Sequence, residues 1–171
     1  MTSDSRELFF LPDDHNQYSK LHSAAGDLSS ASQYGSFILK KGWKAKPWSR
    51  GHAYIQQAAF VTAMITSYGR AFNKSQGLGR WAKLPSEMLD IYDKEELDLH
   101  KIILTQRDKI YAHTDAETFT VRPWKSDLHS DIMSVSSHEM AHSDIERLQV
   151  MCRKMMDHIS VRMEKIKSTY Y

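Results

Sequence analysis

The sequence predicts an all-α fold: a bundle of four main helices, with one short extra helix and a small extended or hairpin insertion before the last helix. Three observations carry this. Apolar side chains recur at spacings of three and four over long stretches, first at Tyr54, Ala58, Val61, Ile65, Tyr68 and Phe72, and again at Ile145, Leu148, Met151, Met155, Ile159, Met163 and Ile166. That is the period of a helix with one face in a core. β-Branched and aromatic runs are confined to two short pieces, Thr118 to Val121 and Ile132 to Val135. The length, 171 residues, suits one domain with a real core and is too short for two ordinary ones.

Residues 1–12 read as an irregular arm that Leu8, Phe9, Phe10 and Leu11 pin to the body. A first helix is expected from Asp13 or Asp14, either of which suits an N-cap, to about Lys40. Its apolar positions are sparse: Tyr18, Leu21, Leu28, Tyr34, Phe37 and Ile38. Gly26 and Gly35 weaken it, so a bend or break is expected near Gly26. The linker KKGWKAKPWSR, residues 40–50, follows, and Gly42 and Pro47 stop any helix there. It holds five basic residues and two tryptophans with no acid. Basic charge with flat aromatics can hold phosphates and stack bases. The plainer reading is that Trp43 and Trp48 close the end of the core.

The second helix carries the first stripe named above, with Arg70 off the stripe. NKSQGLGRWAKLP comes next, a turn that mixes Lys74, Arg80, Trp81 and Lys83 with two glycines. Pro85, Ser86 and Glu87 open a short helix through about Tyr92. Asp93 or a neighbour starts the central helix, and Glu95 and Glu96 fall in its first turn, where acids complement the helix dipole. The central stretch, Leu97 to Asp115, puts Leu99, Ile103 and Ile110 on one face, with Leu97, Leu104 and Tyr111 beside it. After the two short extended pieces, Ser136 with Glu139, or Ser143 with Glu146, offers a capping box to the last helix.

Composition excludes several classes. Net charge is +2, so any case for nucleic acid must be local. The single Cys152 excludes an intramolecular disulfide and fits a reducing compartment. Between Met151 and Met155 on a helical pattern it reads as a buried, inert thiol. No apolar run approaches the roughly 18 residues of a membrane span. MTSDSRELFFLPDD lacks the order of a signal peptide, so a cytoplasmic protein without a membrane partner is expected.

Two constellations bear on chemistry. His138-Glu139-Met140-Ala141-His142 is an HExxH string, which on a helix can bind zinc with the glutamate as base. Its context argues against a zinc protease. Neither glycine nor histidine follows in Ser143 to Leu148, and Glu139 falls where a helix start is expected. No metal or cofactor is expected. The second constellation is Arg107-Asp108 followed by His113, set in an apolar helix. Burying a charge without a partner is expensive, so the pair forms either a structural ion cluster, with His113 capping the helix end, or a site.

QRDKIYAHTD resembles the Arg-x(4–6)-His motif of the HEPN superfamily, the "higher eukaryotes and prokaryotes nucleotide-binding" helical domains. Family members place a polar residue after the arginine, here Asp108. Further likeness to the abortive-infection-type branch lies in Tyr68, Gly69, Arg70 and Phe72, in Leu84-Pro85, and in Leu99-His100. The resemblance covers about residues 50–165 of a single domain spanning 1–171. It implies a HEPN-like four-helix bundle, a homodimer whose motif helices face each other, and metal-independent cleavage of RNA by a toxin or phage-defence effector.

The residue types suit that chemistry. Attack by the RNA's own 2′-hydroxyl needs a proton acceptor near neutrality, which His113 offers. The phosphorane needs a fixed positive charge, which Arg107 offers as a bidentate donor, with Asp108 orienting either partner. Residues i and i+6 lie about 240° apart on an ideal helix, so the helix must loosen near Tyr111 or two subunits must complete the site. His100, two turns before Arg107, is a candidate for the same face. Arg70, Lys74, Arg80, Lys44 and Lys46 are candidate contacts to the RNA backbone. Some family toxins carry a tyrosine just beyond the histidine that a partner antitoxin modifies. Here Thr114 and Asp115 follow His113 and Tyr111 precedes it, so that route does not carry over and an antitoxin stays open. The alternative reading is a non-catalytic HEPN module that binds RNA or nucleotide, or only dimerises.

Overall fold

The computed structural model describes residues 8–45, 51–75, 81–108, 120–123, 131–134 and 140–171. Four α-helices make the body: α1 (Pro12–Lys41), α2 (His52–Phe72), α3 (Lys94–Gln106) and α4 (His142–Ser168). A 3-10 helix, Ser86–Ile91, precedes α3. Strands β1 (Thr120–Pro123) and β2 (Asp131–Ser134) lie between α3 and α4. They pair antiparallel with Thr120 opposite Ser134 and Val121 opposite Met133, the small hairpin insertion that the sequence allowed. Long α1 packs along both α2 and α4, and α3 closes the bundle against the same two helices.

α1 begins one residue before the expected acids. Pro12 occupies its first turn, where a missing N–H is harmless, and Leu11 is the N-cap without a side-chain bond. Asp13 and Asp14 therefore act on the dipole rather than as caps. The helix ends at Gly42, whose φ of 62° is the left-handed turn that closes helices, with its N–H on the Leu39 carbonyl.

The expected break at Gly26 does not form. α1 buries Leu21, Ala24, Leu28, Ala31, Gly35 and Ile38, and that packing outweighs the roughly 1 kcal/mol a helical glycine costs. Gly35 earns its place differently. A Cβ there would lie 3.0 Å from Ile145 Cγ2 and 3.3 Å from Met64 Sδ, so α1 meets α2 and α4 closely at this point.

The α4 stripe is buried from Ile145 to Ile159, with Met163 and Ile166 partly covered. Cys152 lies within it, and burial pushes its thiol up to about 12, as an inert core thiol requires. Trp43 packs with Phe37 and Phe60 and so closes one end of the bundle. Trp48 lies outside the described residues. The arm is pinned by Phe10, which contacts the rings of Tyr18 and Tyr170, while Phe9 and Leu11 are exposed. The Leu11 N–H donates to Tyr170 Oη at 3.0 Å, and that hydroxyl donates to Asp14.

The capping box expected on α4 sits on α3 instead. Asp93 Oδ1 accepts from the Glu96 N–H at 2.8 Å and Glu96 Oε2 accepts from the Asp93 N–H at 2.9 Å. Lys154 of α4 pairs with the same buried carboxylate at 2.7 Å. α4 starts after Ala141 with no side-chain cap, which leaves Ser143 inside the first turn and unable to serve as its cap. Ser136 and Glu139 lie outside the described residues. Among the described residues no helix is long and apolar enough to cross a membrane.

Gly26 and Gly35 give opposite expectations. A Cβ at Gly26 meets nothing within 4 Å. Gly26→Ala should raise stability in urea unfolding by about 0.5–1 kcal/mol. Gly35→Val should lower it by about 1–3 kcal/mol through overpacking.

Candidate functional site

Regular winding of α3 ends at Gln106, before Tyr111. The Arg107 N–H donates to both the Ile103 and Leu104 carbonyls, and the backbone at Arg107 and Asp108 widens into a π-type turn. Arg107 itself keeps αR dihedrals and the register of His100 and Ile103, and so lies on α2. Its stem lies on Gly69, where a Cβ would meet Arg107 Cγ at 3.0 Å and Cδ at 3.1 Å. Any larger residue at Gly69 would push the arginine away.

The guanidinium is then held at its tip. With the Asn73 amide in the orientation its neighbours require, Oδ1 accepts from Arg107 Nη1 at 2.6 Å and Nη2 at 3.2 Å. Asp108 pairs with the same group at 2.5 Å. Arg107 keeps a quarter of its side chain exposed, and Asp108 is open to solvent. The Arg107 Nε–H is buried, with no partner among the described residues. A polar group left so costs about 1–3 kcal/mol, which a cluster built only for stability would avoid.

His100 faces the same turn of α2, two turns earlier on α3. It shares a buried hydrogen bond of 2.9 Å with Tyr68 and packs against Phe72 and Tyr92. Only 6% exposed, it is a core residue rather than one open to a ligand, so the expectation that it meets RNA is corrected. Burial pulls its pKa down to about 4, with Lys101 adding to the effect, and the ring is neutral at physiological pH. The shared face that the sequence predicted for His100 and Arg107 exists, as a packed seam against α2.

The other candidates separate. Arg70 is exposed and pairs with Asp27 of α1 at 2.7 Å. Lys74 is exposed just beyond α2. Lys44 is exposed beside Ala45, whose N–H donates to Gln57 Oε1 at 2.9 Å. Gln57 is twelve residues before Gly69 on α2, about 18 Å along the axis. The two basic loops thus flank opposite ends of α2, and Lys44 is not gathered with Arg107. His113, Lys46 and Arg80 lie outside the described residues, as do His138 and Glu139. His142 Nε2 donates to the Trp43 carbonyl at 2.8 Å, which removes that nitrogen as a metal ligand. Among the described residues no three metal-ligating side chains gather.

Two participants escaped the sequence reading. Asn73 is one. Lys20 of α1 is the other: largely buried, it donates from Nζ to the Asn73 carbonyl at 2.7 Å. Desolvation lowers its pKa, against a raising influence from Asp27. A polar residue on a sparse helix gives no sequence signal for such a contact, although a lysine on the face of Leu21 and Ala24 is the one hint. Comparison with protein-family models, curated proteins and solved structures gives no match to this chain.

The buried imidazole makes a pH prediction. The unfolded ring titrates near 6.5 and the folded one near 4. Between those values the unfolded chain binds more protons, so stability is fully present above about pH 6.5 and falls as pH drops toward 4. Urea unfolding should lose about 1–3 kcal/mol across that window. His100→Phe should flatten the profile there, whatever its absolute stability.

Proposed function

We propose that the chain is a metal-independent endoribonuclease of HEPN type, acting as a toxin or phage-defence effector and working as a homodimer through its motif helices. The observation that carries this reading is Arg107, its stem seated on Gly69 and its guanidinium held by Asn73 at a helix end, with one buried donor unpartnered among the described residues. A fixed, half-desolvated cation is what a phosphorane requires. In the proposed reaction His113 takes the proton of the 2′-hydroxyl and the 2′-oxygen attacks phosphorus. The P–O5′ bond breaks and the leaving 5′-oxygen takes a proton from water, giving a 2′,3′-cyclic phosphate and a 5′-hydroxyl. Arg107 neutralises the charge that develops, and Asp108 orients the guanidinium.

A second reading has its own support. Both terminal nitrogens of Arg107 already have partners, as in a structural cluster. That favours a module which binds RNA, or only dimerises, without cutting. It predicts RNA binding with a steep salt dependence and intact RNA.

The test is cleavage of RNA by pure protein in excess chelator. Activity should persist without metal, fall about 10²–10⁴-fold in His113→Ala and about 10²–10³-fold in Arg107→Ala. Activity that needs a divalent ion, or that survives His113→Ala, sinks the mechanism. RNA left intact but bound supports the second reading.

A further inference from the structure

A pocket of about 330 Å³ opens where the first turns of α1 meet the chain leading into the 3-10 helix. That is the lower end of the roughly 300–1,000 Å³ of small-ligand sites, room for one ring system rather than a duplex. Asn16, Gln17 and Lys20 line it from α1, and Trp81, Lys83 and Pro85 from the other side. The lining joins a flat aromatic, two carboxamides, two cations and one carboxylate, that of Asp13. Carboxamides pair with the edge of a base, indole stacks on its face, and ammonium groups take a base carbonyl or a phosphate.

The pocket is wired to the Arg107 site. Lys20 spends one of its three N–H donors on the Asn73 carbonyl, and the Asn73 side chain holds Arg107. Trp81 is fixed close by: its N–H donates to Ser75 Oγ at 2.6 Å, and the Ser75 N–H returns to the Trp81 carbonyl at 3.1 Å. One residue, Lys74, separates Ser75 from Asn73, so the partner of Trp81 and the partner of Arg107 lie almost side by side in the chain.

We infer that this pocket seats one unpaired nucleotide of an RNA strand, its base against Trp81 between the α1 carboxamides and its phosphate on Lys83, with Lys20 and Asn73 joining the pocket to Arg107. The inference takes its RNA from the nuclease reading. It adds a base contact at Trp81 to the backbone contacts expected of Lys74 and Arg80. The amide edges of Asn16 and Gln17 give it a means of base preference that surface lysines lack.

Binding is measured without cleavage, so the two proposals fail separately. The probes are the four nucleoside 5′-monophosphates, ribose 5-phosphate as a baseless control, and trinucleotides with a non-cleavable 2′-deoxy link. They are titrated calorimetrically into the full chain. At least one monophosphate should bind ten-fold or more tightly than ribose 5-phosphate, and a trinucleotide containing that base more tightly still. Trp81→Ala should weaken it about ten-fold. Lys83→Ala, at an exposed position that leaves the fold intact, should weaken it several-fold and reduce its salt dependence. Binding no better than ribose 5-phosphate, or unchanged in both variants, overturns the inference. A monophosphate that binds more tightly than every trinucleotide overturns the RNA assignment in favour of a free nucleotide. Nucleotide binding without RNA cleavage keeps the pocket and removes the nuclease.

Discussion

Gly69 decides where the charge at the end of α3 goes. Its missing side chain leaves a shelf on α2 for the stem of Arg107, at contact distances no other residue permits. One residue before it, Tyr68 takes His100, and further along the same turn Phe72 packs on His100 and Asn73 takes the guanidinium. One turn of α2 thus sets both the buried ring and the half-buried cation of α3. The seven-residue interval between His100 and Arg107 is matched to that turn. The 3-10 helix and the Asp93–Glu96 box fix where α3 starts, and the Glu96–Lys154 pair ties that start to α4. Position along α3, and so the height of Arg107, follows from these anchors.

The charge around this turn is local. Lys20 sits on the Asn73 carbonyl, Arg70 lies in the last turn of α2, and Arg107 lies on Asn73 itself. Helix C-termini carry partial negative charge, which favours three cations there. Asp27 and Asp108 supply the counter-charge on either side. A chain with a net charge of only +2 thus gathers three cations and two carboxylates at one helix end. Lys20, which lines the pocket, reaches the same place through the Asn73 carbonyl.

Much of the architecture was legible because periodicity reports burial directly. The stripes on α2 and α4 follow from it, while residue type pointed to the extended insertion and to a helix start at or near Asp93. α1 was harder. Its core positions include Ala24, Ala31 and Gly35, small residues that carry little hydrophobic signal yet let helices approach closely. Read as weakness, they suggested a break that tertiary packing prevents. The candidate site divides the same way. Arg107 and Asp108 stood out as charges in an apolar run, while helix geometry asked for a loosening near Tyr111 or a second subunit, and Tyr111 lies outside the described residues. Asn73 and Lys20 act only through contacts between distant parts of the chain, such as the 53 residues between them. His100 was placed on the right face, but a period cannot distinguish a packed seam from an open cleft.

The central claim is that Arg107 is held at this seam for a ligand and not for the fold. Arg107→Met keeps the stem that packs on Gly69 and removes the charge with its unpartnered Nε–H. Its urea unfolding, set beside its RNA cleavage, tests the claim most directly. The account predicts stability equal to the wild type within about 0.5 kcal/mol, or higher, with cleavage lost. A variant that loses several kcal/mol of stability while cutting RNA as the wild type does would show Arg107 to be a structural ion and contradict the account.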